Sequence, residues 1–224
     1  MCNAYNLKTN LTAIAEAVER GLGLPLVFSA GVTAQTSNLP IPQSVYPRRD
    51  GLILRPPDPA EPGVGLEAAV AYWNLTPFFH KGGLKTWKAS TNNARSETMA
   101  TSPAFRDAYK RRRCIIPVTS FTEWTGPKGS KTAHAISRAD GGLLFLAGLW
   151  ERCPTEEGLA ESYTMPMIDA ANGDDIAPFH NRQPVTLDAG SAALWLNLSA
   201  DPRPMLRAPP PGTLVADPPR PVVG

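Results

Sequence analysis

The sequence has few cysteines and no long apolar run. Its three cysteines, Cys2, Cys114 and Cys153, are an odd number without CxxC spacing, which argues against a disulfide framework or a zinc knuckle. No apolar stretch approaches the roughly 20 residues that span a bilayer. The N-terminus also lacks the basic segment and apolar segment of a signal peptide. We therefore expect a cytoplasmic protein without a membrane partner.

Strong charge and the common nucleotide and hydrolase motifs are also missing. The formal net charge is only +2, so any basic surface for nucleic acid must be local. There is no glycine-rich phosphate loop, HExxH, GxSxG or EF-hand loop. The sequence therefore gives no support for a nucleotide-binding protein, a metalloprotease or a serine hydrolase. We expect neither a metal nor a cofactor.

Short strands with a few helices are predicted for most of the chain. Apolar spacing predicts a helix over Asn10–Arg20, stopped by Gly21 and Gly23, and a second over Ser102–Arg113 with Ser102 as N-cap. A third, capped by Asp188, is predicted over Ala192–Leu198. Strands are predicted at Gly51–Leu54 and in the stretches AVAYWNL, CIIPVTSFTEW, THAISRA, LLFLAGLW and SYTMPMIDA. This pattern predicts a single α+β domain built on antiparallel sheet.

Proline marks the irregular segments. Residues 38–65 are rich in proline and predict a long surface connection. Eight of the 24 prolines lie from Asp201 onward. We therefore predict a domain over residues 1–200 and an extended or disordered tail over residues 201–224.

Cys2 stands directly behind the initiator methionine. Met1 is normally removed before so small a residue, which would give Cys2 both a free α-amine and a thiol. Their reference pKa values are about 8 and about 8.5, so both are partly nucleophilic near neutrality. Such a 1,2-aminothiol attacks an aldehyde with nitrogen and closes a ring with sulfur. The alternative is a tolerated cysteine at a frayed terminus.

Two further residues are candidates for proton transfer. Glu123 lies between apolar neighbours in SFTEW, where burial would raise the pKa of its carboxyl and suit it to acid–base work. The alternative is an outward-facing carboxylate of an alternating strand. His180 lies in the loop FHNRQPV with Arg182, and its alternative is a structural histidine. We assign His80 and His134 to the surface or to packing.

The stretch TNNARSET contributes Asn93 and Arg95, which alone would fit a solvated loop. Together with Glu123, His180 and Arg182, however, they would form a group of polar side chains around Cys2. An amide, a carboxylate, an imidazole and two guanidiniums around an aminothiol would suit a phosphorylated, carbonyl-bearing substrate.

Seven ordered motifs carry a resemblance to a known family. They are Cys2 after the start, WNLTP, NARSET, RCIIP, SFTEW, AGLWE and HNRQPV. In this order they resemble the SRAP family, the SOS response-associated peptidases, from Cys2 to about Leu198. The resemblance implies a mainly antiparallel, barrel-like sheet with a few helices. It also implies a covalent sensor of abasic sites in single-stranded DNA, which forms a thiazolidine crosslink through Cys2 after Met1 is removed.

The resemblance also implies roles for individual residues. The implied catalytic residues are Cys2, Asn93, Glu123 and His180. Arg95 and Arg182 match positions that hold phosphates, and Trp73 and Pro77 would form a wall against a splayed base or, alternatively, pack in the core. The basic run Lys110–Arg113 would extend the backbone track or be a solvated helix end. The implied partner is single-stranded DNA with abasic sites, bound by a monomer that is cytoplasmic and associates with the nucleoid when on DNA.

The sequence departs from the family pattern at its start. The usual opening is Cys-Gly-Arg, and here it is Cys2-Asn3-Ala4, so one basic group beside the nucleophile is missing. Two rival functions also stay open. One is a thiol hydrolase of small amides or peptides, with Cys2 as an N-terminal nucleophile. The other is a single-strand binding module without chemistry.

Overall fold

The secondary structure consists mainly of strands. The computed structural model describes residues 2–27, 43–57, 65–218 and 220–221. In these ranges the helices are α1 (Leu11–Leu22), α2 (Arg106–Arg111) and α3 (Ala189–Leu196), with 3₁₀ turns at Leu84–Thr86 and Arg203–Met205. The strands are β1 (Tyr5–Asn6), β2 (Leu26–Val27), β3 (Ser44–Val45), β4 (Asp50–Arg55), β5 (Leu66–Trp73), β6 (Asn93–Arg95), β7 (Arg113–Val118), β8 (Ser120–Thr125), β9 (Thr132–Arg138), β10 (Leu144–Thr155), β11 (Gly158–Asp169), β12 (Arg182–Pro184), β13 (Thr186–Leu187), β14 (Leu214–Ala216) and β15 (Arg220–Pro221).

Five strands close into a barrel. The order β11-β10-β7-β4-β5 is antiparallel throughout, and β5 then returns to pair with β11 in parallel. The closing register pairs Ser162 with Tyr72 and Tyr163 with Trp73. Around the barrel, β6, β12 and β13 extend the sheet along β11 and β10. The predicted α+β class with a mainly antiparallel, barrel-like sheet is confirmed.

A second sheet carries the N-terminus. Its order is β14-β9-β8-β1-β3, with β15 also on β9. β1 is held on both sides, because Tyr5 pairs with Val45 of β3 and with Phe121 of β8. The chain start is therefore fixed within a sheet rather than left at its edge.

The strands bury side chains on both faces, which gives two apolar clusters. The first lies between the barrel and the helices and includes Ile14, Ile115 and Trp195. The second lies between the two sheets and includes Trp73 and Phe121. Residues adjacent along a strand contribute to different clusters because successive side chains point to opposite faces. Cys2 belongs to the second cluster.

Two of the three helix predictions are close to the structure. Asn10 caps α1 by accepting a hydrogen bond from the Ala13 N–H at 2.9 Å, and Asp188 caps α3 through a reciprocal pair with Ser191. Gly21 lies inside α1, and Gly23 ends it with a left-handed φ of 66°. None of the helices within the described ranges is long and apolar enough to cross a membrane.

The prediction of one continuous helix over Ser102–Arg113 is wrong. Its regular part, α2, begins only at Arg106, and no side chain caps it. The Ser102 carbonyl instead accepts bonds from the N–H groups of Phe105 and Arg106, which makes a preceding turn. Arg113 is not a helix end at all but the buried first residue of β7. The stretch CIIPVTSFTEW is likewise divided, because β7 and β8 join different sheets.

The predicted boundary at residue 200 is also corrected. Met205 and Leu214 are buried, one in each apolar cluster, and β14 pairs with β9. The Asp175 carboxylate accepts from the N–H groups of Gly212 and Leu214, both at 2.8 Å. The chain through residue 218 therefore packs as part of the domain. The predicted connection at 38–65 lies partly outside the described residues.

Candidate functional site

The chain start is held against β8. The Thr122 N–H donates to the Ala4 carbonyl at 2.9 Å, which continues the antiparallel pairing of β1 toward Cys2. Cys2 is fully buried, and its Sγ donates to the Ala4 carbonyl at 3.4 Å. Burial, followed by the nearby Glu123 carboxylate, raises the pKa of the Cys2 thiol to about 12. The thiol is therefore protonated at neutral pH.

Glu123 lies beside this terminus on β8. Glu123 is only 1% exposed, so it is not the outward-facing carboxylate that the sequence offered as the alternative. Burial raises the pKa of the Glu123 carboxyl to about 7, and the positive charge of the amino terminus, which this chain carries on Met1, opposes the rise. A carboxyl with this pKa exchanges its proton readily at neutral pH, which is the property an acid–base group needs.

Asn93 reaches the same terminus from the opposite sheet. It begins β6, which pairs in parallel with β11, and its Nδ2 donates to the Cys2 carbonyl at 2.8 Å. Its buried Oδ1 has no hydrogen-bond partner among the described residues. An acceptor left open at this point is suited to an N–H or O–H donor that arrives later.

Asn92 is a neighbour that the sequence did not single out. Its Nδ2 donates to Oδ1 of Asn3 at 3.3 Å, and its own carbonyl accepts from the Trp73 indole at 2.8 Å. Asn3 is one of the departures from the family opening, so a side-chain amide pair stands beside the nucleophile in this chain. The only sign in the sequence that Asn92 lies at the site was its position next to Asn93.

His180 ends a turn that faces the terminus. Its backbone N–H donates to the Ile176 carbonyl at 3.0 Å, and its Nδ1 accepts from the Arg182 N–H at 2.9 Å. An accepting Nδ1 is unprotonated, so the ring carries its proton on Nε2. Burial, and then the charge of the amino terminus, lowers the pKa of His180. Cys2, Asn93, Glu123 and His180 thus lie around the amino terminus.

The two predicted phosphate ligands differ in their surroundings. Arg95, the last residue of β6, is exposed, and its guanidinium makes no hydrogen bond or ion pair with any described residue. Arg182 instead binds Glu97 in a bidentate pair, with Nη2–Oε1 2.6 Å and Nη1–Oε2 3.0 Å. Its Nη2 also lies 3.2 Å from Oδ1 of Asp169.

The prediction that Trp73 and Pro77 form a wall against a splayed base is wrong, and the structure shows the alternative, packing in the core. Trp73 is fully buried and packs on Tyr5 and Tyr163, with centroid distances of 5.2 and 6.3 Å. Pro77 is buried as well, so neither side chain has a surface for a base. The next two residues, Phe78 and Phe79, are each 48% exposed. Sequence alone did not separate these exposed rings from the buried residues of the WNLTP motif that precedes them.

Basic residues accompany these aromatic side chains. The loop after Phe79 carries Lys81, Lys85 and Lys88, all exposed, and Trp87 lies 6.4 Å from Phe79 between ring centroids. Exposed aromatic rings and lysines on one loop are typical of a surface for single-stranded nucleic acid. The predicted basic run at Lys110–Arg113 is different, because Arg113 donates to the Asn197 carbonyl at the end of α3. Within the described ranges, no cluster of metal-ligating side chains occurs.

Comparison with known proteins gives the family of the chain. The family model "SOS response associated peptidase (SRAP)" matches residues 1–218. The chain belongs to the SRAP family. This match covers all the residues gathered at the site, and it includes the segment beyond residue 200 that the sequence had assigned to a tail.

Several SRAP relatives are named for abasic sites. The chain is 35% identical over 127 residues to the abasic site processing protein YoqW of Bacillus subtilis, covering 56% of this chain and 55% of that protein. It is 32% identical over 124 residues to the abasic site processing protein YedK of Escherichia coli, covering 55% of this chain and 55% of that protein. The aligned part thus spans about half the length of these relatives. A crystal structure of a Bordetella bronchiseptica protein superposes with a TM-score of 0.74 at 28% identity, covering 96% of this chain and 98% of that one.

Proposed function

We propose that this protein captures abasic sites in single-stranded DNA covalently through Cys2, once Met1 has been removed. The α-amine attacks the C1′ aldehyde of the opened sugar, and the adduct loses water to give an imine. The thiol sulfur then adds to the imine carbon while its proton passes to the nitrogen, which closes a thiazolidine. The balance is one aldehyde and one aminothiol giving one thiazolidine and one water.

One observation carries this proposal above the others. A carboxyl whose pKa is raised to about 7, Glu123, is buried beside the chain terminus that Asn93 holds by its Cys2 carbonyl. Opening the sugar, losing water from the adduct and moving the thiol proton each need a group that takes and returns a proton. Glu123 fills that role, and the open Oδ1 of Asn93 accepts from the α-amine.

The rival thiol hydrolase fits less well. A cysteine nucleophile that attacks an amide works as a thiolate, usually with its pKa depressed. Here the pKa of the Cys2 thiol is raised to about 12 by burial and by Glu123. A protonated thiol suits a mechanism in which nitrogen reacts first and sulfur adds later to an electrophilic imine. We restrict any peptidase activity to processing of the protein's own N-terminus.

The strand that carries the lesion is assigned to the face around β6 and the aromatic loop. Arg95 is open to bind a phosphate beside the lesion. The exposed rings of Phe78 and Phe79 replace Trp73 and Pro77 as the surface on which a splayed base stacks. His180 donates from Nε2 to the sugar oxygen or to a phosphate. We place this activity in the cytoplasm, in a monomer that associates with the nucleoid when it is bound to DNA.

Intact mass after mixing with single-stranded DNA that contains one abasic site tests the proposal. We expect an adduct equal to both masses less one water, stable to heat without a reductant. Cys2→Ala should give no such adduct, although borohydride should trap an imine from the remaining α-amine. An N-terminal extension left uncleaved should abolish both products, because the nitrogen of Cys2 is then an amide.

Cys153→Ala is the matched control. Cys153 is also a buried free thiol, but it has no α-amine. This variant should form the heat-stable adduct at the wild-type rate. A full yield of heat-stable adduct from Cys2→Ala would refute the mechanism, and amide turnover without any adduct would favour the hydrolase.

A further inference from the structure

Asn3, the residue that follows the nucleophile, carries an open hydrogen-bond donor at the surface. It is exposed, while Cys2 before it and Ala4 after it are buried. Its Oδ1 accepts from Nδ2 of Asn92 at 3.3 Å, and its own Nδ2 makes no hydrogen bond with any described residue. An unpaired N–H donor therefore stands one residue away from the group that reacts in the proposed mechanism.

The orientation of the Asn3 amide follows from that of Asn92, which is itself firmly held. The backbone carbonyl of Asn92 accepts from the Trp73 indole at 2.8 Å and from the Met165 N–H at 3.1 Å. Its side-chain Oδ1 accepts from the Ser90 hydroxyl at 2.9 Å. Because Ser90 engages this oxygen, Nδ2 is the end of the Asn92 amide that faces Asn3, and Asn3 presents its own oxygen to that donor. The Nδ2 of Asn3 is left for a ligand.

This donor lies beside the residues that hold the reacting terminus. Asn93, the residue after Asn92, donates to the Cys2 carbonyl, so two adjacent asparagines hold two adjacent residues of the chain start. The sugar of the lesion must come to the Cys2 amine to react, which brings its oxygens close to Asn3. An abasic nucleotide has no base to be read, and the acceptors it offers are sugar and phosphate oxygens. A side-chain amide N–H is a common ligand for such oxygens.

We infer that Asn3 is a substrate-binding residue, whose Nδ2 donates to a sugar or phosphate oxygen of the abasic nucleotide. This chain lacks the arginine of the usual family opening, and Asn3 supplies a neutral donor next to the nucleophile. A neutral amide displaces no counterion from DNA, so its contact adds affinity without adding to the salt dependence. The inference rests on the proposed function for the identity of the substrate.

Reversible binding tests the contact without the chemistry. The ligand is a single strand with tetrahydrofuran, an abasic analogue that has no aldehyde and forms no adduct. Asn3→Ala should bind this strand about ten-fold more weakly than wild type, because a hydrogen bond to a phosphate or sugar oxygen is lost. The logarithmic salt slope should stay the same. The two proteins should melt within about 2 °C of each other, since Asn3 is exposed.

Asn3→Asp is the sharper variant. It keeps the oxygen that accepts from Asn92 and replaces only the donor with a negatively charged oxygen. We expect a larger loss of affinity than in Asn3→Ala, and this loss should shrink as salt is added because salt screens the repulsion. Asn10→Asp is the matched control, since it adds the same charge and its Oδ1 still accepts from the Ala13 N–H at the start of α1. Its affinity should stay within about two-fold of wild type.

Strands with one methylphosphonate identify the oxygen. A methyl group replaces one oxygen of the phosphate on the 5′ side of the tetrahydrofuran in one strand and on the 3′ side in another. If one of these phosphates is the acceptor, wild type and Asn3→Ala should bind that modified strand with nearly equal affinity. If the ten-fold difference persists on both strands, the acceptor is a sugar oxygen. Either result supports the inference.

The adduct-forming rate separates binding from positioning. A residue that holds the substrate equally before and during the reaction changes the concentration required and not the maximal rate. Asn3→Ala should therefore need about ten-fold more abasic DNA for half-maximal rate, with a maximal rate within about two-fold of wild type. A fall in the maximal rate with unchanged affinity overturns the inference.

The tetrahydrofuran strand decides the inference independently of the proposed function. Equal affinity of wild type and Asn3→Ala for this strand overturns the inference, and so do equal effects of Asn3→Asp and Asn10→Asp. If wild type forms no adduct with abasic DNA but Asn3→Ala still binds the analogue about ten-fold more weakly, the proposed covalent function fails and the Asn3 contact stands.

Discussion

Glu123 is the residue from which the pH dependence of the reaction follows. Its carboxyl pKa is raised to about 7, so the carboxylate fraction grows as the pH rises from 6 to 8. The crosslinking rate should rise over that window. Glu123→Gln should be slower by about ten-fold or more at pH 8, within the usual range for acid–base groups. Because ionisation of the α-amine affects both proteins, the quantity to measure is the ratio of the two rates, which should grow with pH and level off above about 8. A constant ratio would remove Glu123 from proton transfer.

The same carboxyl has a consequence for stability. Below the ordinary pKa of 4.5 it is protonated in both the folded and the unfolded chain. Between 4.5 and about 7 the unfolded chain loses its proton first, so stability falls as the pH rises. Glu123→Gln should therefore gain melting temperature over wild type by about a few degrees at pH 8 and much less at pH 4.5. Thermal unfolding at both pH values measures this, and an equal difference at each would contradict it.

Arg95 carries the salt dependence of DNA binding in our proposal. Its guanidinium is exposed and has no described partner, so neutralising one phosphate would contribute a logarithmic salt slope of about 0.7. Arg95→Ala should lower the slope by about that amount, measured by titration with single-stranded DNA at several salt concentrations. Arg20→Ala removes another exposed arginine, from α1, which packs with the first apolar cluster, and should leave the slope unchanged. Equal effects of the two variants would mean that only net charge matters.

Gly51 in β4 lies against the tyrosines of two other strands, Tyr5 of β1 and Tyr163 of β11. A Cβ there would lie 2.1 Å from the Tyr5 hydroxyl and 2.2 Å from that of Tyr163, and these two hydroxyls are hydrogen-bonded to each other. Gly51→Ala should cost about 1–3 kcal/mol, or roughly 2–12 °C in melting temperature. Tyr163→Phe in the same chain should recover part of the loss by making room.

Gly190 provides the comparison for this glycine. It lies in α3, and its nearest contact for an added Cβ is Oδ1 of Asp188 at an ordinary 3.7 Å. Gly190→Ala should be neutral or stabilise the protein by about 0.5–1 kcal/mol, because alanine favours the helix. Destabilisation of similar size in both variants would show that the close approach at Gly51 is not the cause.

Helices with local signals were predictable, and strand pairing was not. Asn10 and Asp188 are capping residues whose partners lie three positions away, so sequence contains the whole interaction. The closure of the barrel depends on Tyr163 meeting Trp73, which no local pattern encodes. Ser102 failed as a cap for a related reason, since its carbonyl was taken by a turn and its side chain made no cap bond.

The residues of the site likewise divide into those that local motifs predicted and those that depend on distant contacts. Glu123 and Asn93 were recognisable from motifs, and the structure brings both to Cys2. Burial of Trp73 depends on Tyr5 and Tyr163 from distant strands, so sequence could not tell it from the exposed Phe78. The pairing of Arg182 with Glu97 spans 85 residues of sequence and was equally invisible.

The molecule as a whole is completed by its last described segment. β14 covers the outer side of β9, and β9 pairs with β8, in which Glu123 stands opposite His134. Met205 packs in the first apolar cluster, and Leu214 packs in the second. A segment that composition assigned to a tail thus supports the sheet on which the proposed chemistry depends. Prolines are compatible with this packing because β14 itself, Leu214–Ala216, contains none.

Truncation tests this dependence directly. Ending the chain after residue 200 removes two buried apolar side chains, each worth about 2–5 kcal/mol when lost from a core, and leaves one edge of β9 without β14. We expect such a protein to be aggregated or to melt at least about 10 °C below the full chain, with loss of crosslinking. Ending the chain after residue 218 keeps β14 and both side chains and should change the melting temperature by only a few degrees. Leu214→Asp in the full chain should reproduce much of the loss, because it places a charge in the second cluster. A chain ending at residue 200 that melted and crosslinked like the full protein would restore the boundary that composition predicted.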